Sequence, residues 1–397
     1  KNMPQLSRRV GTFTDSVIRR MTRISDETPY SINLSQGFPD FDPPKEILEA
    51  LKKNAEGGPQ HQYSITFGAE NLRRCISEKY SPLFGRTIDP DKEIVVTCGS
   101  TEAMMASMMT VCNPGDKVIV FSPFYENYGA DAILSGAEPI YVNLTPPEYS
   151  FDRKKLEDAF RQGVKAIIVC NPSNPCGKVF TKEELEYILS LAEKYDAFVI
   201  TDEVYEHIVF PPHKHTYCAS LKGAWGRVIT CNSLSKTFSI TGWRIGFAIA
   251  PEEVSESIKK VHDFLTVGAA APLQEAVCAG FKLGDDYYKE LQETYGKKKA
   301  IFLEGLDKAG LKHNDPEGAY FVMVDISDFL KKERFKGWSD LDFCSWMIKE
   351  VGVAAVPGSS FFKDGNQNYI RLHFARSEES LREAVHRLAK LGKYLEE

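Results

Sequence analysis

AIIVCNPSNPCGKVFTKEELEYILSLAEKYDAFVITDEV, residues 166–204, is the stretch whose reading decides the fold. AIIVC is apolar throughout, as a strand is when both of its faces are covered. NPSNP cannot continue it, because each Asn-Pro step forces a rigid turn. Thr181 and Glu184 then form a T-x-x-E capping box, and EELEYILSLAEKY carries its apolar residues at helical spacing. AFVITDEV is a second apolar strand. A strand, a helix and another strand in that order predict neighbouring parallel strands joined by a crossover.

The unit recurs on either side. EIVVTCGS leads into TEAMMASMMTV, KVIVFSPF into YENYGADAILSG, and RVITCNSL extends the series. The fold class expected is α/β: a large, mostly parallel sheet flanked by helices, plus a smaller α+β domain. Beyond about residue 285 the pattern changes to a long charged helix (DYYKELQETYGKKKAIFLEGLDKAG), then AYFVMVDIS, VAAVPG, YIRLHFA and a last helix. Residues 46–285 are therefore assigned to the large domain and 286–397 to the small one. The N-terminal segment, 1–45, lacks a core of its own and is expected to pack with the small domain.

The 397 residues are 43% hydrophobic and 26% charged, the balance of a soluble globular enzyme. A net charge of -6 offers no footprint for nucleic acid. No apolar run approaches the roughly 18 residues of a membrane span. Nine cysteines without C-x-x-C or zinc-like spacing read as buried thiols in a reducing compartment, with no metal and a cytoplasmic location. The arginines of RRV and IRRMTR are read as an amphipathic helix rather than the edge of a transit peptide, which leaves an organelle open.

In open parallel sheets ligands bind beyond the carboxyl ends of the strands. Each strand here is followed by polar residues at that place. After EIVVTC come Gly99, Ser100 and Thr101, a small-residue helix start suited to phosphate, or simply an N-cap. After AIIVC comes Asn174, an aimed amide or a plain turn residue. After AFVIT come Asp202 and, three residues on, Tyr205. An acid there is costly to bury unless it meets a cation, such as a protonated ring nitrogen; exposed, it needs none. After VITC come Ser233, Lys236 and, eight residues further, Arg244: a hydroxyl, an amine and a guanidinium fork. A phosphate cradle, an amide, a buried acid and an amine are the parts that pyridoxal 5'-phosphate requires.

Those segments, S-L-S-K-T-F-x-x-T-G-W-R-x-G, N-P-x-N-P-x-G and T-D-E-V-Y, with SQGFPDFDPP, QYSITFGAENLR and YIRLHFA, resemble the fold-type I, class I/II aminotransferases over nearly the whole chain. Q-G-F-P-D-F and PFYENY resemble the kynurenine, glutamine, methionine and aromatic group in particular. The resemblance implies that Lys236 is the Schiff-base lysine and Asp202 the partner of the pyridine nitrogen. Asn174 and Tyr205 would bond the ring oxygen, and Tyr125 would stack on the ring. Ser100, Thr101, Ser233 and Arg244 would hold the phosphate. Tyr63 would reach the phosphate of a partner subunit, which implies a homodimer with shared sites. Arg371 would grip the substrate carboxylate beside Gly37 and Asn174, although its alternating strand pattern alone reads as a surface position.

The reaction implied is transfer of the amino group of an L-amino acid to a 2-oxo acid in two half reactions, with Lys236 moving the α-proton. The alternative on the same fold is a cysteine-conjugate carbon–sulfur β-lyase. Aromatic, kynurenine-, methionine- and glutamine-like donors are expected, with aspartate behind them. Two departures bear on the donor. Gly268 stands about where kynurenine-using relatives carry a histidine, with His262 on another face. A second arginine for dicarboxylates is not evident, since Arg19, Arg20 and Arg23 read as helix-surface charge.

Overall fold

The structure, a computed structural model, describes residues 3–13, 16–58 and 61–397. Residues 166–204 form the expected unit: strand Ala166–Cys170, helix Lys182–Lys194 and strand Phe198–Asp202, the two strands parallel and adjacent. Thr181 accepts from the Glu184 N–H, and the Glu184 side chain accepts from the Thr181 N–H, closing the capping box.

Eight strands make the large sheet. Their order is Ile94–Cys98, Ile245–Ile249, Val228–Ser233, Phe198–Asp202, Ala166–Cys170, Lys117–Ser122, Glu138–Thr145 and Ser150–Phe151. Pairs from Val228–Ser233 across to Glu138–Thr145 are parallel, and Ile245–Ile249 is antiparallel to both of its neighbours. Burial on both faces explains the unbroken apolar runs: Ile167 and Val169 enter one core, whereas Ala166 and Ile168 enter another on the opposite face. Helices Gly99–Val111 and Glu252–Thr266 pack together on the second of these faces.

A four-stranded antiparallel sheet follows the long helix Gly284–Lys308, in the order Lys312–His313, Phe321–Asp325, Tyr369–His373 and Val356–Pro357. Helix Val17–Asp26 packs on the segment around Val353–Pro357 and on helix Asp340–Glu350, and Ile32–Asn33 pairs with Val353–Ala354. Chain from both ends thus meets the carboxyl edge of the large sheet, where the next strand-end residues lie.

Candidate active site

One pocket opens at that carboxyl edge. It is lined by Gly37, Ser100, Thr101, Tyr125, Asn174, Asp202, Tyr205, Ser233, Lys236, Arg244 and Arg371, every residue that the resemblance assigns to cofactor or substrate except Tyr63. Strands of the large sheet deliver most of them within a few residues of their last residue, whereas Arg244 directly precedes strand Ile245–Ile249 and Arg371 lies within Tyr369–His373.

Lys236 reaches the centre of the pocket from the loop after Val228–Ser233. Its Nζ donates to the Gly37 carbonyl at 3.3 Å and lies 5.8 Å from the centre of the Tyr205 ring. Burial, then the charges of Arg244 and Arg371, push its amine down to about 8, with Asp202 opposing them. A larger share of neutral amine is the consequence at physiological pH.

Asp202 ends its strand as a buried carboxylate. Oδ2 accepts from the Tyr128 hydroxyl at 2.7 Å, while Oδ1 is buried without a partner among the described residues. Burial raises its carboxyl to about 6, held back by the bonds from Tyr128 and the Val204 N–H. An orphan acceptor of this kind costs about 1–3 kcal/mol, so it marks a place for a donor.

Arg371 is 1% exposed, which overturns the surface reading of its alternating strand. One guanidinium nitrogen donates to Asn174 Oδ1 at 2.6 Å and the other to the Ser35 carbonyl at 2.6 Å. The Phe321 ring lies 4.2 Å beneath it, and Nε has no partner among the described residues. Burial lowers the guanidinium to about 10. It remains charged at neutral pH and is aimed rather than mobile.

The Ser100 and Thr101 turn is not a side-chain cap. The helix starts at Gly99 with Cys98 as its N-cap and no capping side chain, and both residues line the pocket. Arg244, in the left-handed region at φ 55°, crosses the same turn, and its guanidinium is 3.5 Å from Thr101 Oγ1. Close approach is possible only because two glycines face each other. A methyl group on Gly246 would lie 2.4 Å from the Gly99 carbonyl carbon and 2.5 Å from the Ser100 nitrogen, and one on Gly99 2.6 Å from the Arg244 fork. Ser233 closes this side, accepting from the Ser235 N–H at 3.0 Å.

Several lining residues were not anticipated. Tyr128 is an ordinary helix residue in the sequence and reaches Asp202 only through packing. Ser235, Gln36, Ser16, Glu126 and Phe321 also line the pocket, and Ser16 donates to Glu126 at its mouth. Arg19, read as helix-surface charge, is exposed yet lines the same mouth, while Arg23 lines a neighbouring cleft. Tyr63 and Gly268 lie elsewhere, together in a second cleft with Thr266–Pro272. His262 is fully buried on Glu102, away from the pocket.

The sequence pattern of the family "Aminotransferase class I and II" matches residues 30–388. A kynurenine–oxoglutarate transaminase of Dictyostelium discoideum is 35% identical over 396 residues, covering 91% of each chain. A methionine aminotransferase of Escherichia coli (strain K12) is 34% identical over 362 residues, covering 91% of this chain and 92% of its own. Aspartate aminotransferase from Thermus thermophilus with maleate superposes with a TM-score of 0.90 at 30% identity, covering 98% of this chain and 100% of that one. With strand order, strand-end residues and these likenesses in agreement, the chain belongs to the class I and II aminotransferases and is a transaminase of fold type I.

Proposed function

We propose that this transaminase binds pyridoxal 5'-phosphate in the pocket around Lys236 and uses it to move amino groups between L-amino acids and 2-oxo acids. The observation that carries the reading is the orphan Oδ1 of Asp202, buried at the pocket floor. A protonated pyridine nitrogen satisfies that acceptor, and the two-glycine approach beneath Ser100 and Thr101 leaves a cradle of N–H groups for a phosphate. When bound, the cofactor supplies the carbonyl that exchanges for an amine and a ring that takes up electrons.

The chain's own residues do the rest. Asp202 would hold a proton on the ring nitrogen, and Tyr205 and Asn174 would supply hydrogen bonds to the ring oxygen. Tyr125 would pack against the ring, while Ser100, Thr101, Ser233 and Arg244 would hold the phosphate. Arg371 fixes the carboxylate common to both substrates, turning two encounters into one geometry. Lys236, with its amine depressed to about 8, takes the α-proton and returns it. Apolar lining from Ile18, Tyr125 and Phe321 supports aromatic, kynurenine-, methionine- or glutamine-like donors, while Arg19 at the mouth is the one feature among the described residues that favours aspartate.

A homodimer with shared sites belongs to the same reading. Tyr63 is 90% exposed and lines the second cleft with Val267, and Ile65, Phe264 (91%) and Leu265, close to them in the chain, are exposed apolar residues as well. Monomeric surfaces seldom leave such a patch uncovered. Tyr63 from one subunit then serves the phosphate of the other, and Gly268 approaches that same neighbouring site. We also assign boundaries near residues 45 and 285, and a cytoplasmic location on the nine unpaired thiols. Among the described residues no helix is long and apolar enough to cross a membrane.

The test is an absorbance spectrum before and after single amino acids are added without an oxo acid. A yellow band that shifts to the near ultraviolet, and is absent in Lys236→Ala, is the expected result and ranks the donors. Release of pyruvate and ammonia from cysteine conjugates without a lasting shift points instead to the lyase. No yellow band after addition of pyridoxal phosphate overturns the reading.

A further inference from the structure

Behind the phosphate turn, and outside the pocket, lies a buried imidazole with an unusual pair of partners. His262, on helix Glu252–Thr266, is 0% exposed. Its Nδ1 is 2.5 Å from Glu102 Oε2 and its Nε2 is 2.6 Å from the Thr66 carbonyl oxygen. A carbonyl and a carboxylate only accept, so both ring nitrogens donate and the ring is an imidazolium. A proton placed on Glu102 instead fits less well. Its Oε1 already accepts from the Cys98 N–H at 2.7 Å and its Oε2 from Thr266 Oγ1 at 3.2 Å. The positive end of helix Gly99–Val111 also favours the anion there.

The two partners belong to different parts of the machinery. Glu102 directly follows Ser100 and Thr101 in the first turn of helix Gly99–Val111. Thr66 lies three residues beyond Tyr63. An uncompensated Glu102 carboxylate beside the phosphate cradle would repel a phosphate dianion, and an unheld Thr66 would leave its segment free of the helix.

We propose that His262 is a positioning residue for cofactor binding: its imidazolium neutralises Glu102 behind the phosphate cradle and ties that helix turn to the Thr66 segment, so affinity for a phosphorylated cofactor depends on one buried proton. The inference rests on the reading of Ser100, Thr101 and Arg244 as the phosphate site. Arg244, whose charge reaches Cys98, is the cation on the pocket side. Glu102 faces the ring from one helix, Cys98 lies by Glu102 and Thr266 at the strand end, and Asp263 sits on His262's own helix. Lys259, also on that helix, lays its amine against the Phe67 ring at 4.0 Å. Burial of His262 favours the neutral ring, but the bond and charge of Glu102 and the Thr66 carbonyl outweigh it and raise the imidazolium above its ordinary value. The clamp therefore persists to higher pH than an ordinary imidazolium and is lost as pH rises through that raised value.

Pyridoxamine 5'-phosphate and pyridoxamine separate the phosphate contribution from covalent attachment, since neither has an aldehyde for Lys236. Their dissociation constants from the cofactor-free full chain are measured between pH 7 and 9.5 by fluorescence quenching, for wild type, His262→Gln and Glu102→Gln. The phosphorylated compound is expected to bind wild type about tenfold more weakly at the alkaline end, with little change for pyridoxamine. His262→Gln is expected to be weak and Glu102→Gln tight, because the latter removes the charge needing compensation, and both should keep only the common slope that Lys236, losing its charge at about 8, gives every form. Glu102→Gln also keeps the test decisive if His262→Gln does not fold. Equal pH slopes in wild type and Glu102→Gln, or equal losses for both compounds, overturn the inference and leave the phosphate site standing. A wild type with no preference for the phosphorylated compound overturns both.

Discussion

Lys236 and Asp202 sit in one pocket with their proton affinities displaced in opposite directions, the lysine down to about 8 and the aspartate up to about 6. Burial is the leading cause of both shifts, since it penalises whichever form is charged. Two measurements follow at this scale. In the cofactor-free protein, attachment of pyridoxal phosphate should quicken about tenfold per pH unit up to roughly 8 and level off above it, because the neutral amine attacks. A rate still climbing at pH 10 removes the proposed environment of Lys236. For Asp202 the Tyr128 hydroxyl favours the ionised form, so Tyr128→Phe raises the carboxyl further. A raised acid is lost sooner as pH falls, and the acidic limb of the half reaction should move upward by about half to one pH unit. A limb that stays in place, or moves down, shows that Tyr128 does not tune Asp202. These residues differ in how readable they were. Lys236, Asp202 and Asn174 stand directly after apolar runs, where the topology of a parallel sheet puts ligands. Tyr128 had no such signal. Arg371 had a misleading one, because the cover that buries it comes from Asn174 and Ser35, 197 and 336 residues away in the chain.

Elements were legible where a repeating physical constraint writes itself along the chain. Full burial makes a strand apolar at every position, and a capping box needs two residues three apart; both are visible at 166–204. Strand Ile245–Ile249 obeys the first constraint, as IGFAI is apolar throughout, yet its direction is set by a partner rather than by its own residues. It runs antiparallel between Ile94–Cys98 and Val228–Ser233. That reversal has a use: it places Gly246 opposite the Gly99 turn and Arg244 just before it. Gly246→Ala should therefore fail twice. Its methyl group meets backbone, the Gly99 carbonyl carbon at 2.4 Å and the Ser100 nitrogen at 2.5 Å, and backbone cannot rotate away as a side chain can. Strain of this sort costs about 1–3 kcal/mol in urea unfolding, and the displaced turn should weaken pyridoxamine 5'-phosphate more than pyridoxamine. Unchanged stability and affinity would mean that the helix start is not held by that contact. Thr181→Ala, at the far end of the neighbouring unit, should lose about 1 kcal/mol and leave cofactor affinity alone.

At the scale of the whole molecule, the pocket takes residues from both ends of the chain and from the sheet between them, but Tyr63 stands outside it on an exposed apolar rim. If the proposed homodimer places Tyr63 of each subunit in the other's site, two defective chains can repair one another. A chain carrying Tyr63→Ala still offers an intact Lys236, and one carrying Lys236→Ala still offers an intact Tyr63. Refolded together in equal amounts, half of the dimers are mixed, and each mixed dimer holds one site with Lys236 from the first chain and Tyr63 from the second. About a quarter of all sites should then be wild type in composition, by the two-fold symmetry of such an assembly. At pyridoxal phosphate concentrations too low to load Tyr63→Ala, the mixture should recover about a quarter of the wild-type yellow band and transaminase rate. Sites built within single chains give no recovery beyond the mean of the two parents. That outcome would leave Tyr63 and the cleft it lines with Val267 and Gly268 as a surface with some other occupant, because only a contribution across the interface makes two broken subunits add up to one working site.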